Sequence, residues 1–177
     1  MPVLNCAVMK SEAAISFGSN VRDRHANLCK ALKRLQQIEG VKLLCKSLIY
    51  ETEPVDVPAE FQGIPFFNAV AIFSVETDVE EWSTAVHAVE DEMLRVRGEQ
   101  RNAPRTIDLD LLYFGNLIVN KPHLRIPHPQ IASRRFVCEP LSLLRPQLIL
   151  PNTGKTILQM LELIPQTPSV RLLDLQW

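Results

Sequence analysis

Residues 106–114 read Thr106-Ile107-Asp108-Leu109-Asp110-Leu111-Leu112-Tyr113-Phe114, bounded by Pro104 on one side and Gly115-Asn116 on the other. A short apolar run closed by turn residues describes a strand. Alternation along a strand puts Asp108 and Asp110 on one face, with about 7 Å between their Cα atoms, and turns Leu109 and Leu111 toward the opposite, core face. Two ionised carboxylates on one strand face repel each other, and a cation beside them removes that repulsion. Mg²⁺ suits the position, because it takes oxygen ligands and typically uses one or two carboxylates together with substrate phosphates. The bland alternative is a solvated strand edge. Arg105, three residues before Asp108, and the arginine-rich loop before it weigh against that alternative.

Working outward, Ala13-Ala14-Ile15-Ser16-Phe17 reads as a first strand running into Gly18-Ser19-Asn20. Leu28, Leu32, Leu35 and Ile38 recur at helical spacing, with Gly40 where a helix would stop. Val41 to Tyr50 reads as a second strand, Thr52 to Pro65 as a long proline-rich loop, and Phe66 to Val75 as a third strand. Val79, Trp82, Val86, Val89 and Met93 mark a second helix, acidic in its first turn and carrying Arg95 and Arg97 at its end, as the helix dipole favours. The strand at 106–114 then turns at Gly115-Asn116 into Leu117-Ile118-Val119. The order β-α-β-β-α-β is the split βαβ, or ferredoxin-like, pattern. The expectation is therefore an α+β protein with an antiparallel sheet, helices on its faces and a C-terminal extension. That extension carries short helices near 134–144 and 156–163. Residues 1–11 read as an irregular leader and residues 12–177 as a single domain.

The chain has 177 residues, 46% of them hydrophobic and 22% charged, with a formal net charge of −1. That balance is ordinary for one globular domain and speaks against general polyanion binding. Proline is high at 13 and glycine low at 6, where average usage gives about 9 and about 12. Few glycines argue against Gly-rich phosphate cradles, so a phosphate site must be local and built from side chains. No run approaches the length of a membrane span, and the N-terminal residues carry no basic leader before an apolar stretch. Cys6, Cys29, Cys45 and Cys138 form no Cys-x-x-Cys pair and read as buried free thiols. A cytoplasmic enzyme or binding domain is the expectation.

The near-neutral total conceals segregation. Residues 76–92 sum to −7, residues 95–105 to +3 and residues 121–135 to +4, the last with His123 and His128 among them. An acidic run is usually a solvated face. Arg95, Arg97, Arg101 and Arg105 within one loop are different, since the ionised, fork-shaped guanidinium suits bidentate phosphate contacts. A nucleoside triphosphate matches such a cluster. An extended nucleic acid does not, because aromatic residues are not interleaved with the basic ones. Gly154-Lys155-Thr156 resembles the end of a Walker A loop, but its first glycine would fall at Ile149, so Thr156 reads instead as a helix N-cap. His128 lies in the stiff segment Ile126-Pro127-His128-Pro129 and reads as structural or as a phosphate donor.

Arg101-Asn102-Ala103-Pro104-Arg105-Thr106-Ile107-Asp108-Leu109-Asp110-Leu111-Leu112 resembles the signature of the 6-hydroxymethyl-7,8-dihydropterin pyrophosphokinases of folate biosynthesis. Phe17-Gly18-Ser19-Asn20, Phe66-Phe67-Asn68-Ala69-Val70 and Ile126-Pro127-His128 fall in the same order as in that family, so the resemblance covers about residues 12–165. It implies transfer of pyrophosphate from ATP to the hydroxymethyl oxygen of the pterin, with AMP as the second product. By the resemblance, Asp108 and Asp110 hold two Mg²⁺ ions. Arg95 and Arg105 stand at the ends of the catalytic loop, and Glu90, Arg97, Arg101, His128 and Arg134 contact ATP. Thr52, Pro54, Val55, Phe66, Asn68 and Phe136 build the pterin pocket. Asn102 stands at the signature's aromatic position, Phe66 where a tyrosine is familiar, and His87 in place of an amide near the nucleotide. A monomer is implied, on its own or joined to another folate-pathway enzyme.

Two other readings of the residues stay open at this stage. Asp-x-Asp also serves metal-dependent nucleotidyl and glycosyl transfer, and a ferredoxin-like fold can bind a small ligand without turnover. AMP as product separates the first from a pyrophosphokinase. Dependence on Mg²⁺ separates the second.

Overall fold

The computed structural model describes residues 10–54, 58–93, 104–167 and 169–177. Strand β1 (Ser11–Ser19) leads into helix α1 (Arg24–Gln36), followed by β2 (Val41–Lys46), β3 (Ile49–Thr52) and β4 (Phe66–Val75). Helix α2 (Val79–Glu92) precedes β5 (Asp108–Phe114), the short pair β6 (Val119–Asn120) and β7 (Arg125–Ile126), helices α3 (Arg135–Leu144) and α4 (Ile157–Leu163), and β8 (Val170–Leu173). The main sheet runs β5-β1-β4-β3-β8, with β2 also on β4, and every pairing is antiparallel. Both central strands are therefore buried on two faces. This is the ferredoxin-like α+β arrangement that the order of elements predicts.

Local chemistry explains the element ends. Asp23 caps α1 by accepting from the Ala26 N–H, and Asp78 caps α2 by accepting from Glu80 and Glu81. Thr156 and Gln159 form a reciprocal capping box on α4, so Gly154-Lys155-Thr156 is a helix start. Gly40, at φ +73°, turns the chain into β2 where an added Cβ would lie 3.0 Å from Glu76 Cβ.

Alternation along the strands divides the interior. Ile15, Phe17, Ala71, Phe73, Leu109 and Leu111 pack on one face against α1 and α2. Ala14, Val70, Ile72 and Leu112 pack on the other against Val137, Leu141, Ile157 and Met160 of α3 and α4. The even-numbered residues of β1, β4 and the start of β5 thus share the α3 face, and the site lies along that row.

Several sequence expectations need correction. The strand read over 41–50 is two strands. Ser47 interrupts it, donating its N–H to Val70 O (2.8 Å) while its Oγ accepts from Val70 N (3.0 Å), so the side chain replaces one rung of the ladder. Leu117 and Ile118 are not in a strand; Val119 pairs with Ile126 in a separate ribbon. Ser11, placed in the leader, is the first residue of β1, opposite Val75. Helix α2 has no basic residue in its last turn, and Arg95 and Arg97 lie outside the described residues. Cys138 is buried, with its thiol pushed up to about 11 by burial, but Cys29 and Cys45 are only half-buried, and Cys6 lies outside the described residues. Among the described residues no helix is long and apolar enough to cross a membrane.

Candidate active site

Four strand ends and one loop meet at the edge of the α3 face. Register sets the row: Gly18 lies opposite both Asn68 on β4 and Asp108 on β5, Ser16 lies opposite Asp110, and Thr52 lies opposite Phe66. The segment 128–136 supplies His128, Gln130, Arg134 and Phe136 from above. Together with Glu53 and Arg105 these residues line a cleft of about 210 Å³. Asp108 and Asp110 project into it together, as alternation along β5 requires, with their side chains 20% and 32% exposed.

The edge position of β5 shapes the site. An edge strand leaves alternate N–H and C=O groups without a ladder partner. Glu90, fully buried on α2, accepts the Leu109 N–H between the two aspartates at 2.7 Å. Further along the edge, Leu112 O accepts the His128 N–H at 2.8 Å and ties the 126–134 segment to the strand. Leu112 is also the extra residue of a bulge, since Leu111 pairs with Ile15 and Tyr113 with Ala14. Upstream, the Arg105 N–H donates to Asn20 Oδ1 (2.8 Å) and the Ser19 hydroxyl to Thr106 O (2.7 Å), which fixes the chain's entry into β5.

Both aspartates meet arginine. Arg105 Nη1 lies 2.9 Å from Asp108 Oδ2, and Arg134 Nη1 lies 3.4 Å from Asp110 Oδ2. The two guanidiniums also stand over aromatic rings, Arg105 at 5.9 Å from the Phe66 centroid and Arg134 at 5.6 Å from Phe136. Among the described residues the buried Arg105 Nε meets no acceptor. Burial holds the His128 imidazole below its usual pKa, with Asp110 opposing and Arg134 reinforcing, so the ring is neutral at pH 7. Its Nδ1 accepts from the Gln130 N–H at 3.3 Å, which assigns the remaining ring proton to Nε2.

At the other end of the cleft Asn68 is buried and donates to Thr52 Oγ1 at 2.6 Å. An amide also carries a carbonyl and a second N–H, which can read a planar edge that offers both a donor and an acceptor. A second cavity of about 250 Å³ shares Asp110 and His128 with the first and reaches His87, Ser83, His123 and Arg125.

Of the residues singled out in the sequence, Arg105, Asp108, Asp110, His128, Arg134, Thr52, Phe66, Asn68 and Phe136 converge on one cleft. Glu90 stands behind β5, and Pro54 does not line the cleft. Val55, Arg95, Arg97 and Arg101 lie outside the described residues. Ser16, Glu53 and Gln130 also line the cleft. Alternation in β1 could have found Ser16, a hydroxyl on the face shared with Gly18. No pattern marks Gln130. Among the described residues no group of three or more His, Cys, Asp or Glu side chains is placed to hold a metal ion.

Known proteins resemble this chain in sequence and in fold. The chain is 35% identical over 153 residues to the Folic acid synthesis protein fol1 of Pneumocystis carinii, covering 85% of this chain and 20% of that protein. It is 32% identical over 151 residues to the 2-amino-4-hydroxy-6-hydroxymethyldihydropteridine pyrophosphokinase of Pseudomonas aeruginosa, covering 85% of this chain and 90% of that enzyme. The chain thus spans about a fifth of the fungal relative and most of the bacterial one. Among solved structures, a Plasmodium falciparum HPPK-DHPS chain superposes with a TM-score of 0.70 at 13% identity, over 90% of this chain and 46% of that one, which is a likeness of fold. The family model for 7,8-dihydro-6-hydroxymethylpterin-pyrophosphokinase matches residues 14–146, and the chain belongs to that family.

Proposed function

We propose that the protein transfers the pyrophosphoryl group of ATP to 6-hydroxymethyl-7,8-dihydropterin, releasing AMP and the pterin diphosphate, a step of folate synthesis. One observation carries the reading: Asp108 and Asp110 enter the same cleft as the Asn68–Thr52 pair and the rings of Phe66 and Phe136. A charged end and a flat, amide-edged end therefore sit side by side in one space.

The donor set fits Mg²⁺. Two carboxylates on one strand face, open to the cleft, are the number Mg²⁺ commonly takes from protein when phosphates and water complete its shell. Two such ions, held by Asp108 and Asp110, would neutralise the triphosphate and polarise its oxygens. The chain's own groups do the positioning. Arg105 and Arg134 now rest on the two carboxylates, and they exchange them for phosphate oxygens when the nucleotide enters. His128 offers its Nε2–H to a phosphate oxygen as a neutral donor. The second cavity, which shares Asp110 and His128 with the first, receives the nucleoside end beside His87.

Asn68 orients the heterocycle by its edge, and Phe66 and Phe136 face its planes. The hydroxymethyl oxygen is thereby aimed at the β-phosphorus. The new O–P bond forms as the bond from the β-phosphorus to the oxygen bridging it to the α-phosphorus breaks. AMP departs with that electron pair, and the hydroxyl proton is lost. Phosphoryl-type transfer leaves little covalent work to the protein, so alignment and charge stabilisation carry the rate. Arg105 supplies stabilisation on the described side of the site. The assignment of Arg95 to the same task, and of Arg97 and Arg101 to ATP, rests on the sequence.

On this reading one copy of residues 12–177 supplies the whole site and works as a monomer in the cytoplasm, on its own or joined to another folate-pathway enzyme. Incubation with ATP, Mg²⁺ and 6-hydroxymethyl-7,8-dihydropterin should give AMP and pterin diphosphate in equal amounts. ADP in place of AMP, or no nucleotide product with all three present, would overturn the assignment.

A further inference from the structure

Arg24, the first residue of α1, lies on the face of the sheet opposite the cleft and makes three contacts there. Its Nη1 donates to Pro65 O at 2.9 Å, its Nη2 pairs with Glu51 Oε1 at 3.0 Å, and its guanidinium stands 3.8 Å from the centroid of the Phe67 ring. Glu51 and Phe67 are direct cross-strand partners on β3 and β4. The next pair along the ladder, Thr52 and Phe66, is the last before the connecting loop, and its side chains line the cleft. Pro65 immediately precedes Phe66, and Glu51 immediately precedes Thr52. One guanidinium thus grips both ends of the loop at its base.

The last rung of a ladder next to a long loop is where a hairpin opens most easily, because no further pairing holds it from the loop side. Thr52 and Phe66 occupy that rung, and Asn68 takes its orientation from Thr52. Lysine cannot replace the grip. A point charge reaches Glu51 but does not donate a planar fork to two acceptors while stacking on a ring. Glu51 is in turn paired with Arg171 of β8, which holds the acidic partner from the sheet edge. Both Arg24 and Glu51 are largely covered, with side chains 25% and 20% exposed, so the pair is only partly screened by solvent.

We propose that Arg24 is a positioning residue for the heterocycle slot: from the far side of the sheet it locks the Glu51–Phe67 rung and so fixes Thr52, Phe66 and, through Thr52, Asn68. The functional part of this statement rests on the pterin reading of the cleft.

The test compares the full chain with Arg24→Ala, Arg24→Lys and Glu51→Gln. Steady-state kinetics are run with the pterin and ATP varied separately, and amide hydrogen exchange is followed at Thr52 and Phe66. A slot loosened by a fraction of an ångström predicts a KM for the pterin raised about tenfold in Arg24→Ala, with kcat and the KM for ATP held within about twofold. Arg24→Lys should recover only part of that rise, and Glu51→Gln should fall between the two. Exchange at Thr52 and Phe66 should accelerate in the same order. An unchanged KM for the pterin, an equal rise in both Michaelis constants, or full recovery by lysine would overturn the proposal. If Arg24→Ala does not fold, Arg24→Lys and Glu51→Gln decide by the same split. If the wild-type chain makes no AMP, the pterin reading falls, and the exchange data alone decide whether Arg24 clamps the rung.

Discussion

Gly18 and Asn68 face each other across the β1–β4 ladder, and a methyl group fits between them only if the amide gives by a few tenths of an ångström. A Cβ built on Gly18 would lie 3.3 Å from Asn68 Oδ1 and 3.6 Å from Asp108 Cβ. Glycine at this position lets the Asn68 amide and the Asp108 carboxylate, which the proposed function assigns to the heterocycle and the metal, stand on either side of one backbone. Asn68 has little freedom to yield, because it is buried and bonded to Thr52.

Gly18→Ala should therefore act on the pterin end of the cleft. A displacement of a few tenths of an ångström predicts a loss of about tenfold in kcat/KM for the pterin, since larger misplacements cost about a hundredfold. Thermal unfolding should change little, and Gly18→Val should abolish pterin binding. Steady-state kinetics with each substrate varied will check this. A loss carried entirely by the KM for ATP would contradict it.

Asp110→Ala should remove turnover while leaving the fold intact, since the side chain is partly exposed and its arginine partner stands at 3.4 Å. Loss of an electrostatic group acting on the transferring phosphate predicts a fall in kcat of about 10²–10³-fold or more. Circular dichroism and AMP release are the measurements. Near-wild-type turnover would exclude the metal role of the strand pair.

Arg105→Ala should separate turnover from ground-state binding. Its guanidinium sits on Asp108 and, on the proposed function, is needed where charge develops, so kcat should fall by about a hundredfold. The KM for ATP should move far less, as expected for an interaction strongest in the transition state. A raised KM with unchanged kcat would reduce Arg105 to a binding residue.

These assignments were legible in the sequence to unequal degrees. The Asp108–Asp110 pair was readable because a strand has a strict two-residue period, and two like charges at that spacing need an explanation. The βαββαβ order was readable from plainer signals, since β4 is an unbroken apolar run and α2 repeats its buried residues at helical spacing. The break at Ser47 was hidden, because a hydroxyl replacing a backbone rung changes neither hydropathy nor length. Strand β8 has four residues and takes its place only by adding to the edge of β3. The Arg24 grip had no signal, because its partners come together only when β3 and β4 pair in register. Glu90 carries two readings: the resemblance implies a contact with ATP, and the fold also sets its carboxylate on the Leu109 N–H.

A cluster remote from the cleft predicts the acid limb of stability. Arg145 donates through Nε and Nη2 to both oxygens of Glu12, at 3.2 and 2.8 Å, and Tyr113 donates to Oε1 at 2.7 Å. Burial alone would raise the Glu12 pKa, but the Arg145 fork and the Tyr113 hydroxyl outweigh it and hold the pKa below the usual 4.5. A carboxyl depressed by folding contributes stability that is fully present above the unfolded pKa and is lost as pH falls through the folded one. Arg145→Met should therefore cost about 1–3 kcal/mol at neutral pH, toward the lower end because the pair is a third exposed. That gap should narrow as the solution is taken below about pH 4.5. Denaturant titrations at several pH values give the measurement, and a gap independent of pH would place the stabilisation elsewhere.

Glu90 allows a test that distinguishes holding the strand from touching the nucleotide. Its Oε1 accepts the N–H of Leu109, the residue between the two aspartates, from a position with no exposure to solvent. Glu90→Ala leaves that edge N–H buried and without its acceptor, which predicts a loss of about 1–3 kcal/mol in unfolding free energy. It also frees the segment that aims Asp108 and Asp110, so kcat should fall with stability. Glu90→Gln presents an amide oxygen of the same reach and should keep most of both. A residue whose carboxylate served ATP directly would behave otherwise. Glutamine would then raise the KM for ATP as much as alanine does, with stability nearly unchanged in each. The ranking of the two variants in unfolding and in the KM for ATP therefore decides whether Glu90 supports the carboxylate pair through β5 or acts on the nucleotide itself.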